Sequence, residues 1–176
     1  MRWTIDPSHS TAEFAIRHLM ITNVKGRFGA LTGFVNYDPE KPDATTIEAT
    51  IDAISIDTRD EKRDAHLKSA DFFDVEHHPK LTFKSNKVTK TGDGFTAVGD
   101  LTMHGVSKEV TLNVEVPSAP TKDPWGNTRI GTSATGKINR KDWGLNWNAA
   151  LEAGGVLVGE QVKLSLEVSL IQDAAK

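Results

Sequence analysis

Apolar and polar residues alternate with a period of two along most of this chain, which leaves few folds open to it. Val162, Leu164, Leu166, Val168 and Leu170 alternate with Gln161, Lys163, Ser165, Glu167 and Ser169. Val110, Leu112, Val114 and Val116 alternate with Glu109, Thr111, Asn113 and Glu115, and Phe14, Ile16 and His18 share one face with Glu13 and Arg17 on the other. Successive side chains on a strand point to opposite sides, so each run is a strand with one dry and one wet face. The same reading covers Ile47-Ala49-Ile51, Leu81-Phe83, Phe95-Ala97-Gly99-Leu101-Met103 and Ile130-Thr132-Ala134-Gly136-Ile138.

Eight long strands are predicted, at about 11–19, 24–37, 45–56, 80–90, 94–104, 106–117, 128–140 and 160–172, with a short leading strand at about 3–6. Many reach about ten residues, against a common length of roughly 5–6. Thr91-Gly92-Asp93-Gly94 and His104-Gly105 are tight hairpin signals. Long amphipathic antiparallel strands must hide their edges, and closing eight of them on themselves removes the edges. The expected fold is all-β, an eight-stranded antiparallel barrel in which residues 1–176 form one domain. A two-sheet sandwich, which usually has shorter strands, is the alternative.

One segment breaks the pattern. Thr58-Arg59-Asp60-Glu61 matches a capping box with Thr58 as N-cap, which predicts a short, mostly solvated helix over Arg59–Ser69. Phe72 and Phe73 would dock this insert on the barrel.

Composition narrows the chemistry. The 176 residues include no cysteine, which excludes disulfide scaffolds, thiolate metal sites and cysteine nucleophiles. The 21 basic and 24 acidic residues leave a formal charge of −3, which argues against a nucleic-acid partner. No apolar stretch has the length of a membrane span or a leader, so the expected location is cytoplasmic, or periplasmic if the chain is a mature exported form.

An eight-stranded barrel is near the threshold between a filled interior and room for one small ligand. The inward face carries Ala12, Ala49, Ala97, Gly99, Ala134 and Gly136 among larger residues. Two readings stay open: a hollow apolar tube, or small residues that let large ones interdigitate. The lumen candidates are Phe14, Ile16, His18, Ile47, Ala49, Ile51, Leu81, Phe83, Phe95, Ala97, Leu101, Met103, Leu112, Val114, Ile138, Leu164 and Leu166.

Several motifs resemble the YceI family. They are Asp6-Pro-Ser-His-Ser10, Phe14-x-Ile-x-His-Leu19, Val24-x-Gly-Arg-Phe28, Arg63-Asp64-x-His66-Leu67-Lys68-Ser69-x-Asp71-Phe72-Phe73-Asp74, Gly99-x-Leu-Thr-Met-His-Gly105 and Ile138-Asn-Arg140-x-Asp-Trp143-Gly144. The resemblance runs in order over nearly the whole chain. It implies a lipocalin-like barrel that holds an isoprenoid lipid, such as a polyprenyl quinone or prenyl diphosphate, non-covalently in its lumen. Lipid storage, sequestration or transport would follow, with no cofactor beyond that ligand. Transient membrane contact and a homodimer are both compatible with it.

The rim candidates are His9, the helical stripe Arg59, Arg63 and His66, and Arg140, Trp143 and Trp147. A stripe of cations suits a diphosphate, although Asp60 and Asp64 beside it also suit a self-paired, solvated helix. Trp125, Trp143 and Trp147 would plug a barrel end or rest at a membrane interface. No catalytic residue and no metal site are expected. Asp6, Ser8 and His9 crowd together, but Asp-Pro-Ser is also a turn former. The alternatives are an enzyme on an apolar substrate using His9, His18 or Asp6, and a filled stress or interaction module.

Overall fold

The computed structural model describes residues 1–152 and 154–174. Its strands are β1 (Arg2–Ile5), β2 (Thr11–His18), β3 (Thr22–Phe28), β4 (Thr32–Asn36), β5 (Thr46–Asp52), β6 (Lys80–Thr91), β7 (Gly94–Met103), β8 (Val106–Glu115), β9 (Thr121–Lys122), β10 (Thr128–Asn139) and β11 (Val158–Gln172). One helix, α1 (Glu61–Lys68), lies between β5 and β6.

These strands make eight staves. From β4 to β8 each strand pairs antiparallel with the next. β8 pairs with β10 at Ala134 opposite Val114, and β10 runs along β11 from Arg129 opposite Ile171 to Asn139 opposite Gln161. The far edge of β11 is shared: β1 covers Leu170–Gln172, and β2 takes Val158 and Val162–Glu167. β1 pairs onward with β4, which closes the ring, and β2 pairs with β3. The eight predicted strands and the barrel are therefore present, with β1 and β2 forming one interrupted stave and β3 and β4 another.

The interruption corrects the predicted strand at 24–37. Ile5 faces Leu170 and Thr11 faces Glu167, so the five residues 6–10 occupy the space of two on β11. The excess loops outward. It is pinned by the Asp6 amide on the Ser169 carbonyl at 2.9 Å and the Ser169 amide on the Ser10 hydroxyl at 3.0 Å. The neighbouring stave breaks at the matching place, where Ala30 turns through φ +52° and Leu31 is buried.

The predicted helix is also shorter at its start. Asp60, not Thr58, is the N-cap and accepts from the Arg63 amide at 3.0 Å. Arg59 lies at φ +63°, so the chain reverses there and Thr58 stays outside the helix. The buried Thr58 hydroxyl instead donates to Asp64 Oδ1 at 2.5 Å and accepts from Arg63 Nε at 2.7 Å. These bonds tie the helix to the end of the β5 stave.

The buried apolar residues do not form one mass. Phe28, Ile56, Leu81, Met103, Trp143 and Leu145 cluster at the end nearest α1. Trp3, Ile5, Leu31, Ile130 and Leu170 cluster at the opposite end, and Val88, Phe95 and Ala97 form a third group.

At the end away from α1, Arg129 lies between two carboxylates. Its Nη1 is 2.6 Å from Asp6 and its Nε 2.6 Å from Asp123. Hydrogen bonds from the Ser8 hydroxyl, then from Arg129, hold the buried Asp6 carboxyl well below the usual carboxylate range. A carboxylate whose folded value is depressed stabilises the fold above its unfolded value of about 3.9 and ceases to do so as pH falls toward the folded value. Asp6→Asn is therefore expected to lower the urea midpoint at pH 7 and to flatten the loss of stability between about pH 5 and pH 2. Urea titrations of both proteins across that range check this.

Candidate functional site

The barrel is hollow. A cavity of about 610 Å³ runs along its interior. Phe14, Ile16, Ile47, Leu112, Leu164 and Leu166 sit on the inward face, yet none is fully buried. Their remaining exposure is to the lumen, which the filled reading does not accommodate.

The wall follows from strand register. On β2 and β11, Phe14 faces Leu164 and Ile16 faces Val162. On β10 and β11, Ala134 faces Leu166 and Ile138 faces Val162. All the predicted lumen residues reach the lining except Ala97: Phe14, Ile16, His18, Ile47, Ala49, Ile51, Leu81, Phe83, Phe95, Leu101, Met103, Leu112, Val114, Ile138, Leu164 and Leu166. Ala97 is completely buried and packs with Val88 and Phe95, its methyl too short to reach past them. The lining also includes Val24, Phe28, Val35, Tyr37, Leu67, Phe72, Phe73, Leu157, Val158, Val162, Val168 and Leu170, beyond the residues expected from sequence. Val162, Val168 and Leu170 continue the alternation already visible in β11. Leu157, Phe72 and Phe73 lie outside any strand pattern and carry no periodic signal.

Apart from Glu13, midway along β2, the charged lining residues gather at one end. Arg17 and His18 at the end of β2, Asp60, Lys62, Arg63 and His66 around α1, and Arg140 after β10 form a polar mouth. Three aromatic rings meet there: the His66 and Trp147 centroids are 4.6 Å apart, His66 and Phe72 5.1 Å, and Phe72 and Trp147 5.4 Å. His66 Nε2 also lies 2.8 Å from Asp71 Oδ2. The insert and the segment after β10 are thus latched across the lumen.

Arg140 builds the other side of the mouth, and its placement corrects its reading as a simple rim cation. It is buried, with Nε on the Gly159 carbonyl at 2.7 Å, Nη1 on the carbonyls of Leu145 and Trp147, and Nη2 reaching Val158. Burial pushes this guanidinium below its ordinary value, against an opposing pull from Glu160. The planar fork gathers carbonyls from two separate turns of chain, a geometry that suits arginine rather than lysine.

Three further rim candidates are not at the mouth. Trp143 is 1% exposed and belongs to the core, its Nε1 donating to the Leu101 carbonyl at 2.9 Å. Arg59 does not reach the lining, because its left-handed backbone turns it away. His9 lies outside the lumen at the far end, 2.8 Å from Asp6. Trp125 is 79% exposed on the turn between β9 and β10 and plugs no opening.

The catalytic reading of Asp6, Ser8 and His9 finds no relay. His9 Nδ1 is the nitrogen that approaches both Asp6 Oδ2, at 2.8 Å, and the Ser8 hydroxyl, at 3.1 Å. A triad needs one imidazole nitrogen on each partner. Ser8 gives its own proton to Asp6 Oδ1 at 2.6 Å. One trio among the described residues has the composition for a metal, Asp74, His78 and His104, whose ligand atoms lie within 4.8 Å of one another. None of the three lines the lumen. His77 Nδ1 is 2.9 Å from the Asp74 carboxylate, and His104 Nδ1 is 2.9 Å from the Trp143 carbonyl.

The sequence profile of the YceI-like domain matches residues 3–170. The chain belongs to the YceI family. A UPF0312 protein of Staphylococcus aureus strain N315 is 41% identical over 162 residues, 92% of each chain. The crystal structure of the Campylobacter jejuni YCEI protein superposes with a TM-score of 0.74 at 30% identity, over 90% of each chain. A polyisoprenoid binding domain from Saccharophagus degradans, implicated in plant cell wall breakdown, shares the fold with a TM-score of 0.68 at 17% identity, covering 97% of this chain and 98% of its own. The lipocalin-like YceI barrel is thus the architecture that carries the lumen and its polar mouth.

Arg140→Met is expected to leave its carbonyls unpaired and to cost ~3 kcal/mol of unfolding free energy. Arg140→Lys should recover less than half, since an ammonium cannot match the fork. Urea unfolding followed by tryptophan fluorescence measures both.

Proposed function

We propose that this protein holds the chain of a long isoprenoid lipid, a polyprenyl quinone or a prenyl diphosphate, in its lumen, and that it stores, sequesters or carries that lipid without reacting with it. The observation that carries the reading is the cavity of about 610 Å³ with a wall of aliphatic and aromatic side chains. Its volume lies in the range of sites that take one small organic molecule, roughly 300–1,000 Å³. Apolar burial contributes roughly 25 cal/mol per Å² with little directionality, so such a wall selects a long apolar chain by length and girth rather than by hydrogen bonds. The description of the Saccharophagus domain as polyisoprenoid-binding supports the same ligand class for this family member.

The mouth supplies the head-group chemistry. Arg63 and His66 on α1 and the neighbouring Lys62 would meet the diphosphate or quinone oxygens, while the chain lies deeper. Arg140 has most of its donors committed to backbone carbonyls and serves as the support of the mouth. Binding rather than catalysis fits a lumen whose wall is almost wholly apolar and a His9 that contacts both of its neighbours through one nitrogen.

Native purification, organic extraction and mass spectrometry test the proposal. A prenyl lipid is expected in the wild-type extract. Ala49→Phe places an aromatic ring in the lumen and is expected to reduce uptake of added prenyl quinone at least about tenfold, with far-ultraviolet circular dichroism unchanged. An extract without prenyl lipid, together with no uptake by the wild type, contradicts the proposal.

A further inference from the structure

The hairpin between β2 and β3 ends in Leu19, Met20 and Ile21, which are 41%, 59% and 71% exposed. Val156, 39% exposed, lies on the loop beside them. Three residues separate the paired His18 and Thr22, and the β-turn within that loop is closed by the Ile21 amide on the His18 carbonyl at 3.1 Å. A β-turn with both central residues at positive φ favours Asn, Asp and Gly there. Here the two positions are Leu19 at φ +52° and Met20 at φ +59°. Large, exposed apolar side chains therefore stand in a backbone conformation that disfavours them.

The tip adjoins the mouth. The Leu19 amide donates to the Leu157 carbonyl at 2.8 Å, and His18 and Leu157 both line the lumen. Met20 lies over Gly155, where an added Cβ would come within 2.1 Å of its sulfur, so the hairpin and the loop carrying Val156 present one apolar edge. That edge is a narrow protrusion. A stable protein–protein contact buries roughly 800 Å² per partner, which a few side chains on a turn do not supply. A bilayer interface requires no complementary surface and accepts single apolar side chains at shallow depth.

We infer that the Leu19-Met20-Ile21 tip inserts into the surface of a lipid bilayer and sets the mouth of the lumen against it, so that a lipid passes between membrane and barrel without crossing water. This inference rests on the lipid-binding reading for its purpose, but insertion of the tip is measurable without it. Arg17, exposed on β2 and part of the mouth, would then face the head-group layer.

The test compares the wild type with the double variant Leu19→Asn, Met20→Gly, which gives the turn the residues its backbone favours and removes the apolar tip. Flotation with vesicles of phosphatidylcholine and phosphatidylglycerol is expected to carry the wild type, and the variant should bind about tenfold more weakly. Transfer of a prenyl quinone from those vesicles should slow by a similar factor, while uptake of the same quinone from detergent micelles is unchanged and the melting temperature is equal or higher. Equal flotation of the two proteins overturns the inference. So does a wild-type dimer that becomes monomeric in the variant with no difference in flotation, because the tip is then a contact between copies. If neither protein takes up quinone from micelles, the lipid-binding reading fails, and the flotation comparison still decides the tip.

Discussion

An antiparallel sheet with one apolar face has two edges to dispose of, and in this chain the fifteen-residue β11 takes both. One side of β11 is zipped to β10 along eleven registered positions, and the other is divided between β1 and β2. The rest of the molecule depends on that closure. It turns the apolar faces of eight staves inward at a girth where side chains do not meet across the centre. It also forces the surplus residues 6–10 out of the ladder, where Asp6 and Arg129 clamp them. Without the ladder the same strands would form an open sheet with a greasy face, a structure prone to edge-to-edge association.

Closure leaves two ends with different chemistry. At the far end the Asp6–Arg129–Asp123 arrangement tightens the staves and shares no atom with the lumen. At the other, α1 and the segment after β10 reach across the opening and meet through His66, Phe72 and Trp147. Arg140 holds that segment by its backbone, so the aromatic latch rests on a buried cation rather than on strand pairing. The apolar wall and the charged mouth are therefore built by different means: strand alternation for one, side-chain-to-backbone hydrogen bonds for the other.

That division explains what the sequence disclosed. The wall was legible because Val162, Leu164 and Leu166 repeat at a spacing that only a strand converts into a face. Hollowness was not, since the same alternation serves a filled barrel, and what distinguishes them is whether Phe14, Leu112 and Leu164 meet partners across the interior. The mouth was only partly legible. Arg63 and His66 reach it because they share one side of a helix. Arg59 departs because one left-handed residue moves the helix start, which a capping-box match does not register. From sequence, Arg140 and Trp143 belong to the rim because they stand at and just beyond the end of a strand. Their burial depends on carbonyls contributed by Leu101, Leu145 and Gly159, contacts that no local pattern encodes.

If this protein holds an isoprenoid chain as proposed, the lumen, and no outer surface, receives it. Intermolecular nuclear Overhauser contacts between a protonated prenyl quinone and deuterated protein labelled at Ile, Leu and Val methyls test it most directly. Contacts are expected to Ile16, Leu112, Leu164 and Leu166, and none to Ile54 and Val116, which are exposed. Contacts confined to Ile54, Val116 or other exposed methyls, with silence from the four lumen residues, would contradict it.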